Sequence, residues 1–191
     1  LGLVSTRGVV PACRTLDCVS VFSLTVDDAT CALAAMAGFD PADAYSRRRA
    51  LAPTGPMPSA ARLGVPLAGQ RVFFGDKQAA QAYDDALARL RRLGAIIVEI
   101  DIEPFYETAR LLYEGPWLAE RYLAIAALLA SSPDAIHPVT RAIIREGVRP
   151  TAVDAFKAFY RLEELRRTRD EIFSAIDALV LYCERLAARR G

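Results

Sequence analysis

Residues 71–100 read RVFFGDKQAAQAYDDALARLRRLGAIIVEI, and the fold class turns on their order. Arg71 to Phe74 has the apolar, aromatic character of a strand, and Asp76 can cap a helix. Ala79 to Leu93 then repeats apolar residues at helical spacing until Gly94 stops it. Ala95 to Ile100 is a second strand, rich in β-branched residues. A strand, a helix and a strand in so short a span make a βαβ unit, because parallel strands need a crossover and a helix supplies one. The fold class predicted is α/β.

Beyond Pro104 the pattern is helical. Helices are predicted over Phe105 to Tyr113, Trp117 to Leu129, and Pro138 to about Gly147. Thr151 with Asp154 forms a capping box, and Val153, Phe156, Phe159, Tyr160 and Leu165 mark one face of a long helix ending near Ile176. Ala178 to Tyr182 reads as a last strand. On the other side, Thr25 with Asp28 opens a helix over about 26–37 that Gly38 ends, and Val9-Val10 and Val19 to Leu24 have strand character. The stretch 39–70 holds Pro41, Pro53, Gly55, Pro56, Pro58, Gly64 and Pro66, and reads as a surface excursion.

The bulk composition closes several function classes. Lys plus Arg number 24 against 23 Asp plus Glu, so no global field draws in nucleic acid or an anionic membrane. No apolar run is long enough to span a bilayer and no stretch reads as a secretion signal, so neither membrane insertion nor secretion is expected. Cys13, Cys18, Cys31 and Cys183 lack C-x-x-C spacing and have one histidine to join them, so they read as free thiols of a cytoplasmic protein rather than a zinc site. No metal and no cofactor is expected, since neither dinucleotide nor P-loop glycine patterns occur.

Chemistry-bearing residues are few. His137 lies beside Pro138 with no recognisable nucleophile turn elsewhere, and reads as a histidine at a helix start. Arg161, Arg166, Arg167 and Arg169 interleave with Glu163, Glu164, Asp170 and Glu171. Glu163 with Arg167 and Arg166 with Asp170 are spaced for a salt-bridged face. The segment Leu111 to Arg121, LLYEGPWLAER, is more unusual: a helix break at Gly115-Pro116 between Tyr113 and Arg121. Such a break can aim an arginine fork at a carboxylate, with a tyrosine hydroxyl as neighbour. The alternative is a packed helix junction with Arg121 paired to Glu120 or Glu114.

Gly2 to Asp17, LVSTRGVVPACRTLD after the glycine, resembles the stretch downstream of the amidase signature, and Thr25 to Ala29 with Ala37 to Asp43 continues the likeness. Phe73 to Asp76, Leu90 to Gly94 and above all Leu112 to Trp117 with Ala119-Glu120-Arg121 resemble the allophanate hydrolase branch of the amidase-signature family, which also occurs within urea amidolyase. The resemblance covers residues 1 to about 181. It implies an amidase-signature fold, with a mixed sheet and flanking helices, and hydrolysis of an amide C–N bond of allophanate to ammonia and CO2 in urea degradation. It also implies substrate-binding roles for Tyr113 and Arg121, the latter on the substrate carboxylate, and a homodimer.

The family's chemistry uses a nucleophilic serine, a second serine in a cis peptide and a lysine. None of the three is identifiable, because there is no Gly-Gly-Ser-Ser-like run and neither Lys77 nor Lys157 sits in the matching context. The chain is therefore expected to be one partial amidase-like domain without catalytic residues and inactive alone. Its parts are a core segment over 1–38, the excursion over 39–70, a substrate-recognition part over 71–181 and an atypical tail over 182–191. Loss of part of a sheet predicts exposed apolar surface and self-association. The competing reading is a non-catalytic α/β module that binds a small carboxylate or itself; a nucleic-acid module ranks third.

Overall fold

The structure is a computed structural model, and it describes residues 1–52, 55 and 58–182. Its contacts divide the chain into two compact units. One comprises Leu1–Gly55 with Leu111–Ala158, the other Pro56–Arg110 with Phe159–Gly191. The expected tail lies outside the described residues from 183 onward.

The second unit holds the sheet. Strands β1 (Arg62–Pro66), β2 (Ile96–Ile100) and β3 (Ala178–Leu179) take the order β2-β1-β3, and both pairings are parallel. Helix α2 (Lys77–Arg92) makes the crossover from β1 to β2, so the expected βαβ unit is present with its first strand nine residues early: Arg62 rather than Arg71. Arg71 to Phe74 is not a strand, because Phe74 at φ 48° and Gly75 at φ 84° turn the chain into the capping Asp76. Asp76 accepts from the Ala79 amide at 2.9 Å, as its position suggested.

The true first strand lies inside the supposed surface excursion, and two residues hid it. Gly64 is central because a Cβ there would stand 2.5 Å from Cδ1 of Ile176, which packs over the sheet. Pro66 lacks the amide that a central strand normally donates. Its nitrogen faces β3, one step beyond the bond from the Val180 amide to the Gly64 carbonyl at 2.9 Å. In that register the missing amide would have met the Val180 carbonyl. The buried Tyr83 hydroxyl donates to that carbonyl instead, at 3.1 Å. A side chain thus replaces a ladder bond. Tyr83→Phe is expected to lower the free energy of unfolding by about 1–3 kcal/mol, read by urea denaturation, because it strands a half-buried acceptor. An unchanged midpoint contradicts the substitution argument.

Around this strand, Val65, Tyr83 and Leu87 form one buried cluster, against which Phe73 and Tyr182 pack with ring centroids 4.4 Å apart. Tyr182, expected at the head of the tail, belongs to this core. Ile100, Ile102 and Ile176 form another cluster. Helix α3 (Glu103–Tyr113) starts after β2, and α6 (Ala152–Ala175) leads back to β3. Arg161 on α6 forks onto Glu107 of α3 at 2.6 and 2.7 Å and also holds Glu164. The charged face of α6 is salt-bridged as expected, but with other partners: Arg166 with Glu163, and Arg169 with Asp170 at 2.6 Å.

The first unit carries α1 (Val26–Met36), α4 (Trp117–Ser131) and α5 (Pro138–Arg145), followed by a 3-10 turn at Glu146–Val148. Both helix caps form: the Thr25 hydroxyl accepts from the Asp28 amide at 3.1 Å, and the Thr151 hydroxyl from the Asp154 amide at 3.2 Å. The second is a reciprocal box, the Thr151 amide donating to the Asp154 carboxylate at 2.9 Å, whereas the Asp28 carboxylate takes the Thr25 hydroxyl. The strand pieces at Val9-Val10 and Val19 to Leu24 do not form; that stretch is turn and extended loop with Val10, Phe22 and Leu24 exposed. Without a neighbouring strand, β-branched residues there have nothing to pair with. His137 is exposed at the start of α5, and its carbonyl takes the Arg141 amide at 2.9 Å. Among the described residues no helix is long and apolar enough to cross a membrane, and no His, Cys, Asp and Glu cluster could hold a metal.

Candidate functional site

The helix break between α3 and α4 is made by Gly115, where the chain doubles back so closely that a Cβ would sit 2.4 Å from the Leu111 carbonyl oxygen. Only glycine fits that approach. Pro116 then caps α4 at φ −68°, a value its ring favours. The turn places Tyr113, at the end of α3, and Arg121, in the second turn of α4, on a common side. The Arg121 guanidinium carbon lies 5.0 Å from the Tyr113 ring centroid. A cation–π contact of this kind contributes about 0.5–1 kcal/mol at exposed sites.

Among the described residues Arg121 is otherwise unpaired. Its Nε is buried and has no hydrogen-bond partner, and no described carboxylate forms an ion pair with it. A buried guanidinium N–H without an acceptor is costly, so it marks a place where an acceptor belongs. The two acids proposed as internal partners do not serve: Glu120, the nearer, accepts from the Thr15 amide and hydroxyl, each at 2.7 Å. Tyr113 is 62% exposed and Arg121 half-buried, so the pair stands partly in solvent.

The amino-terminal segment positions α4. Asp17 gathers the Ala12 and Cys13 amides, both at 3.0 Å, in a tight loop that presents Thr15 to Glu120. The buried Cys13 thiol lies 3.9 Å from the Trp117 carbonyl oxygen. On the opposite side of α4, Gly147 of the 3-10 turn packs flush against the helix; a Cβ there would fall 2.4 Å from the Leu118 oxygen and 2.9 Å from Cβ of Tyr122. The neighbours of Arg121 in sequence are thus held from two directions. Lys77 and Lys157, the lysines considered for catalysis, are both exposed, on α2 and α6.

Earlier in the segment, Asp40 and Asp43 organise the loop that follows α1. Ser5 donates to Asp40 at 2.8 Å, and Asp43 takes the Thr6 and Tyr45 amides at 2.8 and 2.9 Å. The Ala42 amide, then the Ser5 hydroxyl and Arg7, hold the Asp40 carboxyl below its ordinary value of 3.8; the Thr6 and Tyr45 amides do the same for Asp43. A depressed folded pKa adds stability above the unfolded value and loses it as pH falls through the folded one. Stability is therefore expected to fall with acid from about pH 5 downward, and less steeply in Asp43→Asn. Urea midpoints over that range check it; equal slopes contradict it.

The Amidase family model matches residues 1–189. The chain belongs to the amidase family. Within that family it is 36% identical over 181 residues to urea amidolyase of Saccharomyces cerevisiae, covering 93% of this chain and 10% of that protein. Its structure superposes on Kluyveromyces lactis allophanate hydrolase with a TM-score of 0.86 at 39% identity, over 93% of this chain and 29% of that one. On K. lactis urea amidolyase the TM-score is 0.87 at 38% identity, over 96% and 12%. This amidase chain thus spans less than a third of each of these relatives.

The sequence singled out Tyr113 and Arg121, and the structure brings them together. It missed Thr15, because nothing local links a threonine to a glutamate 105 positions away. Glu120, an alternative partner for Arg121 by its position in the sequence, holds Thr15 instead.

Proposed function

We propose that the chain is the substrate-recognition part of an allophanate-hydrolysing amidase, with Arg121 receiving the substrate carboxylate and Tyr113 flanking its guanidinium. The observation that carries this is the buried, acceptorless Nε of Arg121 beside the exposed Tyr113 ring. A carboxylate accepts two parallel N–H bonds from such a fork, which a lysine cannot offer. The relatives named for allophanate hydrolysis and urea breakdown support allophanate as the molecule that carries this carboxylate.

Amide hydrolysis transfers the carbonyl carbon from nitrogen to water, releasing ammonia, and needs a nucleophile or base at the carbonyl. No side chain of this chain is assigned that role. The chain binds and orients while the reacting groups come from sequence outside it; it works in the cytoplasm, and the intact enzyme is a homodimer. Malonate, which keeps a terminal carboxylate and lacks the scissile amide, tests this. The 191-residue chain should melt at a higher temperature with malonate and release no ammonia from allophanate. Unchanged melting, or ammonia release, contradicts the proposal.

A further inference from the structure

Resting on that reading, we infer that Thr15 and Glu120 are positioning residues that keep Arg121 vacant for its ligand. Glu120 is the carboxylate nearest Arg121 in sequence, and a free carboxylate there competes for the same guanidinium. Adjacent residues on a helix do not face each other squarely, yet long side chains bridge the gap: Arg169 and Asp170 of α6 pair at 2.6 Å across that same spacing. At α4 this does not happen. Both Glu120 oxygens are occupied, one by the Thr15 amide and one by its hydroxyl, each at 2.7 Å, while Nε of Arg121 stays buried without an acceptor.

Two features make this more than a surface bond. The clamp comes from a distant loop that is itself braced, by Asp17 on the Ala12 and Cys13 amides and by Cys13 against the Trp117 carbonyl. It also ties up the acid adjacent to Arg121, so the negative charge beside Arg121 is tied back rather than absent. The substrate carboxylate then meets an arginine that no internal ion pair must first release.

Calorimetric titration of malonate into the 191-residue chain separates this from a purely structural bond. Thr15→Val removes the hydroxyl donor, frees one Glu120 oxygen and should weaken malonate binding about fivefold, the scale of a partly exposed ion pair. Thr15→Val with Glu120→Gln should return to wild-type affinity, because the freed side chain no longer carries a charge. A structural role requires the double variant to bind as weakly as Thr15→Val or worse, and that result overturns the inference. Should Thr15→Val not fold, Glu120→Asp serves: it keeps the charge but falls short of Thr15, and must also weaken binding. Arg121→Ala is the control. If it binds malonate as wild type does, the carboxylate reading itself fails; if it does not bind while Thr15→Val binds as wild type, only the clamp fails.

Discussion

Arg121→Ala is expected to abolish the stabilisation of this chain by malonate while leaving its unliganded melting temperature close to that of wild type. The guanidinium makes a cation–π contact with Tyr113 and has a buried N–H without an acceptor. Removing it therefore relieves one unsatisfied donor and loses one modest contact, terms of opposite sign and similar size. Ligand binding has no such compensation. Charge-assisted hydrogen bonds contribute about 1.5–3 kcal/mol, so the loss is roughly one to two orders of magnitude in Kd. Arg121→Lys should recover little, since an ammonium cannot fork onto both carboxylate oxygens. Differential scanning fluorimetry over a malonate series reads both quantities at once. A shift that survives in Arg121→Ala assigns the anion to another site.

The second large effect is expected from a residue that touches no ligand. Gly147→Ala places a Cβ 2.4 Å from the Leu118 carbonyl oxygen and 2.9 Å from Cβ of Tyr122, on either side of Arg121 in the helix. The obstacle is largely backbone, which cannot rotate away, so the 3-10 turn and α4 must separate. Overpacking of this kind costs about 1–3 kcal/mol. Because α4 carries Arg121 while α3 carries Tyr113, the same displacement should also weaken malonate binding. Gly147→Ala is thus expected to lower both the urea midpoint and the affinity, whereas Arg121→Ala lowers the affinity alone. Wild-type stability in Gly147→Ala would show that the turn yields without moving the helix.

How far these features could be read beforehand depended on whether their causes were local. Helix starts were legible at Thr25, Asp76 and Thr151 because a cap is a bond between residues three apart, written in the sequence itself. The crossover helix was legible from its periodicity and β2 from its β-branched residues. The strand β1 was not: Gly64 and Pro66 argue against a central strand, and what permits them is the Ile176 side chain over the glycine and the Tyr83 hydroxyl on the Val180 carbonyl. Val72, Phe73 and Phe74 attracted the assignment instead, although Phe73 is apolar because it packs on Tyr83 and Tyr182.

The site divides in the same way. Tyr113 and Arg121 flank a Gly-Pro break and were visible as a pair, since eight residues of chain determine their approach. The partner of Glu120 was not visible, because a braced loop from the other end of the chain supplies it. Charge pairs on α6 were right in kind and wrong in detail, as expected where several acids lie within reach of each arginine and small differences in rotamer choose among them.

The most direct test of carboxylate recognition is calorimetric titration of wild-type chain with malonate and, in parallel, with malonamide, which has the same skeleton and no charge. Malonate is expected to bind saturably, more weakly as salt is raised, and malonamide not at all. Equal binding of the two, or binding of neither, would mean that Arg121 is not a carboxylate site.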